Sequence, residues 1–349
     1  MKRIRAVVIE DSPTMRAHLR ETLSADPQIE VVGEAEEGGS GIALCERLRP
    51  DVITLDMAMP RIDGLAVTRH VMAHCAAPIL IVSASTERGE AFSTFDALRA
   101  GAVEVLEKAR GDEAEGEWEK RFVATVKLVS RIKVITRPPP RPGMAGPMAD
   151  WEVAVPRRRP CELVAIGAST GGPAALLHVL RAVPPQTRVP VLVVLHIGAS
   201  FAPAFVDWLG SQLPHKVCFA RHGAALAALG GQIVMAPADR HLLVRGGQIV
   251  LGADGERHSC RPSVDVLFES VAASCGAAAA GCLLTGMGRD GAAGLRQIRE
   301  AGGRTLAQDE ASSVVYGMPR EAALLGAAER ILPLPEIGPA LAAIMERGL

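Results

Sequence analysis

The chain has almost no net charge, no CxxC pair, no long apolar run at its start and no internal repeat of solenoid type. Its 38 basic and 39 acidic side chains leave a formal charge of −1, so no general field draws in nucleic acid or anionic lipid. A protein or a small molecule is the expected substrate. The seven cysteines are odd in number and widely spread, which argues against a disulfide framework or a zinc site and for a reducing cytoplasm. The opening MKRIRAVVIED carries an apolar run of only Ala6 to Ile9, too short for a signal-peptide core or a membrane span. The expectation is a cytoplasmic chain with no direct membrane insertion and no nucleic-acid partner.

What is present is enough chain for two cores: 349 residues exceed what one ordinary core serves. From Ile4 to about Arg131, short β-branched runs near 4–9, 29–34, 51–55, 78–83 and 103–106 alternate with amphipathic stretches such as Met15, Leu19 and Leu23. That is the pattern of βα units around a five-stranded parallel sheet, a doubly wound α/β domain over 1–131. Residues 132–160, rich in proline and glycine, read as an extended, semi-rigid linker. A second α/β domain is expected over 161–349, with buried strands at 162–167, 189–195 and 281–285. In HLLVRGGQIVL, Gly246 and Gly247 separate two alternating segments, a two-residue hairpin signal. The hairpin predicts a second sheet that is mixed at one edge.

In an open parallel sheet, ligands collect at the carboxyl ends of the strands. Glu10 and Asp11 follow the first strand, Asp56 the third, Ser83 ends the fourth and Lys108 follows the fifth. Any one of these could be a solvated loop residue or a helix cap; their joint placement points to chemistry. Converging carboxylates raise one another's pKa unless a hard cation such as Mg²⁺ neutralises them. Metal-assisted phosphoryl transfer follows, with Asp56 as acceptor, Glu10, Asp11 and Asp56 holding the metal, and Ser83 and Lys108 binding the phosphoryl group. The segments VVIEDSPTMR, DVITLDMAMPRIDGL, ILIVSAS and GAVEVLEKA also resemble the response-regulator receiver family over about residues 1–130, which implies a flavodoxin-like fold. Most receivers carry two aspartates where Glu10 and Asp11 stand, a proline where Ala109 stands, and often an aromatic residue where Val105 stands.

In the second domain, AIGASTGGP places Gly167-x-Ser169-x-Gly171 after a strand and before a helix opening at Pro173. An exposed Ser169 there would sit beside unpaired backbone N–H groups able to hold an oxyanion. A dinucleotide loop fits poorly, because the third glycine is misplaced and the next strand ends in His196 rather than an acidic residue. A plain glycine-rich turn is the other reading. Of nine histidines, only His196 directly follows a strongly apolar strand in this domain, making it the candidate base. Asp239, Asp265, Asp290 and Asp309 are possible orienting carboxylates; Asp290, in the TGMGRDGA loop after GCLL, fits the same sheet edge best.

The order Ser, His, Asp departs from that of α/β-hydrolases. The segments AIGASTGGP, VVLHIG, RPSVDVLF, LLTGMGRDGAAG and AQDEASSVVYGMPREA resemble the chemotaxis protein-glutamate methylesterase family, CheB, over nearly all of 162–330. Relatives commonly read His-Met-Pro where this chain has His196-Ile197-Gly198. The resemblance implies a Ser169 nucleophile, His196 base and Asp290 orienter, with backbone near Thr170 or Met287 as oxyanion donor. It implies removal of methyl esters from chemoreceptor glutamates, deamidation of receptor glutamines, a chemotaxis-type histidine kinase as phosphodonor and a place at membrane-bound receptor arrays. No cofactor is expected for ester hydrolysis. His241, Arg261 and Asp265 read as structural. The competing function is a phosphorylation-dependent docking protein with a weak or inactive hydrolase domain.

Overall fold

The computed structural model describes residues 3–84, 88–109, 114, 116–132, 134 and 159–346. Residues 133 and 135–158 of the expected linker lie outside this set. The N-terminal part runs β1 (Ile4–Ile9), α1 (Pro13–Ser24), β2 (Ile29–Ala35), α2 (Gly38–Leu48), β3 (Val52–Leu55), α3 (Gly64–His74), β4 (Ile79–Ser83), α4 (Arg88–Ala100), β5 (Glu104–Glu107) and α5 (Glu117–Val129). Its five strands lie in the order β2-β1-β3-β4-β5 and all pairs are parallel. Along β1 the side chains alternate between two cores: Val7 and Ile9 join one apolar cluster, Ala6 and Val8 the other. That is why the strand reads as a continuous apolar run. Ser12 caps α1, accepting from the Met15 amide, with Pro13 at the first helical turn. The strand order reverses across β1, so the residues after β1 and β3 flank the switch point.

The C-terminal part runs β6 (Leu163–Ala168), α6 (Gly172–Leu180), β7 (Val191–Leu195), α7 (Phe201–Gln212), β8 (Val217–Phe219), β9 (Ile233–Met235), β10 (His241–Arg245), β11 (Gln248–Gly252), α8 (Val264–Cys275), β12 (Ala279–Leu283), α9 (Ala292–Glu300), β13 (Arg304–Gln308), α10 (Met318–Leu324), β14 (Arg330–Leu332) and α11 (Leu334–Glu346). Seven strands form one sheet, β14-β13-β12-β6-β7-β9-β8, parallel throughout.

The expectation of a mixed edge is corrected here. The β10–β11 hairpin turns at Gly246 and Gly247, both at positive φ as its tight turn requires, but it forms a separate two-stranded sheet. On its β10 side a helix meets the backbone, Ser270 Oγ accepting from the Val244 amide and Ser274 Oγ donating to the Val244 carbonyl, while β11 pairs with the backbone of residues 223–226. The strand expected at 281–285 lies two residues earlier, because Ala279 and Ala280, small and weakly patterned, pair in register with Leu163 and Val164.

The two sheets meet through α4 and α7. Phe95 is fully buried, with its ring 5.2 Å from Phe205 and 5.5 Å from Trp208. Trp208 Nε1 donates to Asp96 at 3.3 Å, and Ser200 Oγ donates to Glu107. One apolar cluster runs from β1 and β3 through this contact to β6 and β7. Among the described residues no helix is long and apolar enough to cross a membrane.

Candidate active site and phosphoryl-transfer edge

Three parallel strands end side by side. The His196 amide donates to the Ala168 carbonyl (3.0 Å), the Ser169 amide to the Thr285 carbonyl (3.0 Å) and the Leu284 amide to the Gly167 carbonyl (2.9 Å). Backbone ladders thus place Ser169, His196 and the 285–290 loop at one edge of the sheet. The close approach demands glycine: a Cβ on Gly286 would lie 2.7 Å from Ser169 Cβ, and Gly171, at φ +75°, turns the chain into α6 against Val314. Thr285 Oγ1 donates to the Thr170 carbonyl and accepts from the Val315 amide, while Gln308 Oε1 accepts from the Thr285 amide. The serine turn is therefore held by a buried polar network.

His196 Nε2 donates to Asp290 Oδ2 at 3.0 Å. Asp290 is buried, and its carboxylate also accepts from Ser263 Oγ (2.7 Å), the Val264 amide (2.7 Å) and the Asp265 amide (3.0 Å). Two of those amides open α8, so the helix N-terminus adds its positive end. Burial works against the Asp290 charge, yet His196, the Asp265 amide and Ser263 outweigh it and hold the carboxyl below its ordinary range. Burial likewise opposes a charged His196, but hydrogen bonds to Asp290 and Cys260 push it up to about 9. The other ring nitrogen, Nδ1, faces Cys260 Sγ at 3.8 Å. Among the described residues no hydrogen bond links Ser169 Oγ to His196; such bonds are often loose before substrate enters. The Thr170 and Met287 amides likewise donate to no partner among the described residues, and Met287 is 57% exposed.

Of the four acidic candidates, Asp290 is the one hydrogen-bonded to His196. Asp239 sits in a turn at φ +56°, Asp309 caps Ser312, and Asp265 accepts from the Gly294 amide and from His258. His241 joins backbone on both sides, at Gly255 and Ser263, and Arg261 donates to the Asp254 carbonyl; these contacts agree with a structural reading. Sequence reasoning passed over Ser263, Cys260 and Glu104. The first had a signal, as serine at the N-cap of the VDVLF helix. Glu104, in β5, bonds the Thr170 hydroxyl, and burial raises its pKa, so the first sheet touches the residue next to Ser169.

At the N-terminal edge the expected residues also converge. Lys108 Nζ lies 3.0 Å from Asp56 Oδ2 and 2.9 Å from Glu10 Oε2. Glu10 is fully buried; burial and then the neighbouring Asp56 charge push it up to about 7, against Lys108. Burial also raises Asp56, opposed by Lys108. Ser83 Oγ donates to Glu90 of α4, so it must change partner to meet a phosphoryl oxygen. Oxygens of Glu10, Asp11 and Asp56 lie within 4.8 Å of one another. Three hard oxygen donors at this spacing fit a Mg²⁺-class cation.

Residues 6–114 match the response regulator receiver domain, and residues 164–341 match the CheB methylesterase family. The chain belongs to the CheB methylesterase family. It is 41% identical to protein-glutamate methylesterase/protein-glutamine glutaminase 4 of Myxococcus xanthus, over 96% of this chain and 95% of that one. It is 43% identical to protein-glutamate methylesterase/protein-glutamine glutaminase 3 of Anaeromyxobacter dehalogenans, over 99% and 100%. Among solved structures it resembles the CheB methylesterase catalytic domain of Thermotoga maritima, with 30% identity and a TM-score of 0.50, over 53% of this chain and 98% of that one. Where the CheB pattern commonly has methionine, Ile197 packs partly buried on the main apolar cluster.

Proposed function

We propose that this chain is a phosphorylation-controlled protein-glutamate methylesterase that also deamidates glutamine side chains, with a receiver over 1–131, a connection over 132–160 and a catalytic domain over 161–349. The observation that carries it is the 3.0 Å bond from His196 to a four-fold hydrogen-bonded Asp290 at the strand end beside Ser169.

With Nε2 committed to Asp290, Nδ1 of His196, which faces Cys260 Sγ at 3.8 Å, is the nitrogen that accepts the Ser169 proton. Ser169 Oγ attacks the ester carbonyl, and the Thr170 and Met287 amides receive the oxyanion. The tetrahedral species expels methoxide, which takes the proton from His196 and leaves as methanol. Water, deprotonated by the same ring, then hydrolyses the glutamyl-Ser169 ester to a carboxylate. With glutamine the leaving group is ammonia.

On the receiver, Glu10, Asp11 and Asp56 would hold Mg²⁺, which when bound supplies charge neutralisation for phosphoryl transfer. Asp56 accepts the phosphoryl group, with Ser83 and Lys108 binding its oxygens. The substrates are methyl-accepting chemoreceptors and the donor a chemotaxis-type histidine kinase, in the cytoplasm at receptor arrays. The contacts of Phe95, Glu104 and Glu107 with the catalytic half support a receiver that covers the hydrolase until phosphorylation shifts the equilibrium.

The test is methanol release from a methylated receptor fragment, with and without a small acyl-phosphate donor and with Ser169→Ala as blank. Release should rise with the donor and vanish in the blank. No release above the blank, on a substrate that a known esterase cleaves, would favour the docking protein instead. Residues 160–349 alone should outrun the unphosphorylated whole; equal rates would remove covering as the control.

A further inference from the structure

The proposed reaction leaves one reactive group unused: Cys260, whose sulfur faces the ring nitrogen that Ser169 needs. We propose that Cys260 and His196 form a binding site for a thiophilic divalent cation of the zinc class, and that occupancy shuts the hydrolase. The inhibition rests on the hydrolase reading above; the binding does not.

The geometry suits such a cation. Zinc bonds sulfur at about 2.3 Å and imidazole nitrogen at about 2.0–2.1 Å, so a tetrahedral angle sets the two ligand atoms roughly 3.6 Å apart. Cys260 Sγ and His196 Nδ1 are 3.8 Å apart. The two atoms need to close by a few tenths of an ångström at most. Ligand atoms of His196, Cys260 and Asp290 all lie within 4.8 Å of one another. Asp290 already accepts four hydrogen bonds, so it acts from behind the ring. It accepts from Nε2–H and so leaves Nδ1 as the outward-facing nitrogen, the arrangement in which a carboxylate orients a metal-binding histidine.

The thiol is also held ready. Arg257 and Cys260 exchange backbone hydrogen bonds of 3.1 and 3.0 Å, and the turn between them passes through His258 and Ser259, both at positive φ. Cys260 itself is half-buried, so a cation arriving from solvent can reach it. On binding, the thiol, and His196 where Nδ1 is protonated, each give up a proton to solvent as the S–metal and N–metal bonds form. Two protein ligands leave open positions for water, an open site rather than a closed structural one. The metal holds the lone pair that must accept the Ser169 proton, and turnover stops. Ligand softness separates this site from the N-terminal edge: sulfur and imidazole select zinc-class ions, whereas Glu10, Asp11 and Asp56 offer only hard oxygens.

The full chain, with Mg²⁺ in excess throughout, is titrated with Cd²⁺ while the ultraviolet sulfur-to-cadmium charge-transfer band is followed. In parallel, methanol release is measured with micromolar Zn²⁺, each variant being compared with its own metal-free rate. The expected result is a band from one bound equivalent that disappears in both Cys260→Ala and Cys260→Ser. Zn²⁺ should suppress the unsubstituted chain roughly tenfold or more, reversibly on adding a chelator, and change either variant less than about twofold. A band that persists in both variants, or equal suppression of all three chains, would overturn the site. A Cys260-dependent band with a rate that Zn²⁺ does not move would overturn the inhibition and count against His196 as the base, while the absence of methanol release without metal would count against the hydrolase reading alone.

Discussion

Both functional edges lie at the carboxyl ends of parallel strands, yet they handle charge in opposite ways. At the N-terminal edge two of the three carboxylates, Glu10 and Asp56, share a single lysine, and Glu10, fully buried, is pushed up to about 7. Fixed dipoles do little for it, and compensation must come from mobile partners, a cation and a phosphoryl group. At the C-terminal edge one carboxylate receives four hydrogen bonds, two from the amides that open α8, and stays ionised despite burial. The first edge is built to change state with its ligands; the second is preorganised. A switch and a catalyst can thus share one architecture and differ in whether charge is balanced from outside or from within.

The strongest way to break this contrast is to remove the inner compensation. Asp290→Asn keeps the shape but offers His196 the wrong partner, and the ester hydrolysis rate should fall on the order of 10⁴-fold. A loss under tenfold, read from methanol release at saturating donor, would mean that the ring is oriented by something else. The next effect is in pH. His196, raised to about 9, must be neutral to act as base, so its active fraction climbs as pH rises and levels off above that value. Between pH 7 and 9, kcat/KM should increase roughly fiftyfold. A profile flat across this range would show that the imidazolium is not held by the Asp290 and Cys260 contacts as the geometry requires.

These two edges were readable in the sequence because a parallel sheet sends every strand-end residue to the same side. Asp56, Ser169 and His196 could be placed from apolar runs and the residue that follows each. Asp290 was harder, one of four acids, and only its position after β12 favoured it. What the sequence withheld depends on packing between distant segments. Ser263 reaches Asp290 across 27 residues because α8 opens against the loop after β12, and Cys260 reaches His196 across 64. The hairpin's glycines were legible as a turn, whereas its partners were not: serines on α8, four residues apart, meet β10, and the backbone of residues 223–226 meets β11. Local patterns specify elements and their polarity; which outer residues close around a site is decided by tertiary register.

Ser263 gives a smaller and more discriminating test. Its hydroxyl donates to Asp290 Oδ1 at 2.7 Å and accepts from the Val266 amide, so it both serves the carboxylate and caps α8. Ser263→Ala should lower kcat about tenfold, the worth of one hydrogen bond to a charged group, and lower the melting temperature through the lost cap, which contributes about 1 kcal/mol. Ser263→Thr keeps both functions and should restore both readings. Recovery of stability without recovery of rate would separate the cap from the catalytic support.

The smallest expected effect probes the other side of the contrast. Glu10 Oε1 accepts from Lys108 at 3.0 Å, while Oε2 lies 2.9 Å from the same nitrogen without a hydrogen bond, and the reach comes from the methylene that distinguishes it from aspartate. Glu10→Asp withdraws the carboxylate from the lysine and frees its oxygens for a cation held with Asp11 and Asp56. Phosphorylation by a small donor should then saturate at several-fold lower Mg²⁺, while the Mg²⁺-independent esterase rate of the unphosphorylated chain stays the same, since no group of the Asp290 site is altered. If the Mg²⁺ requirement rises instead, the Glu10–Lys108 pair is positioning the metal ligands rather than competing with the cation, and the N-terminal edge is more preorganised than its raised Glu10 implies.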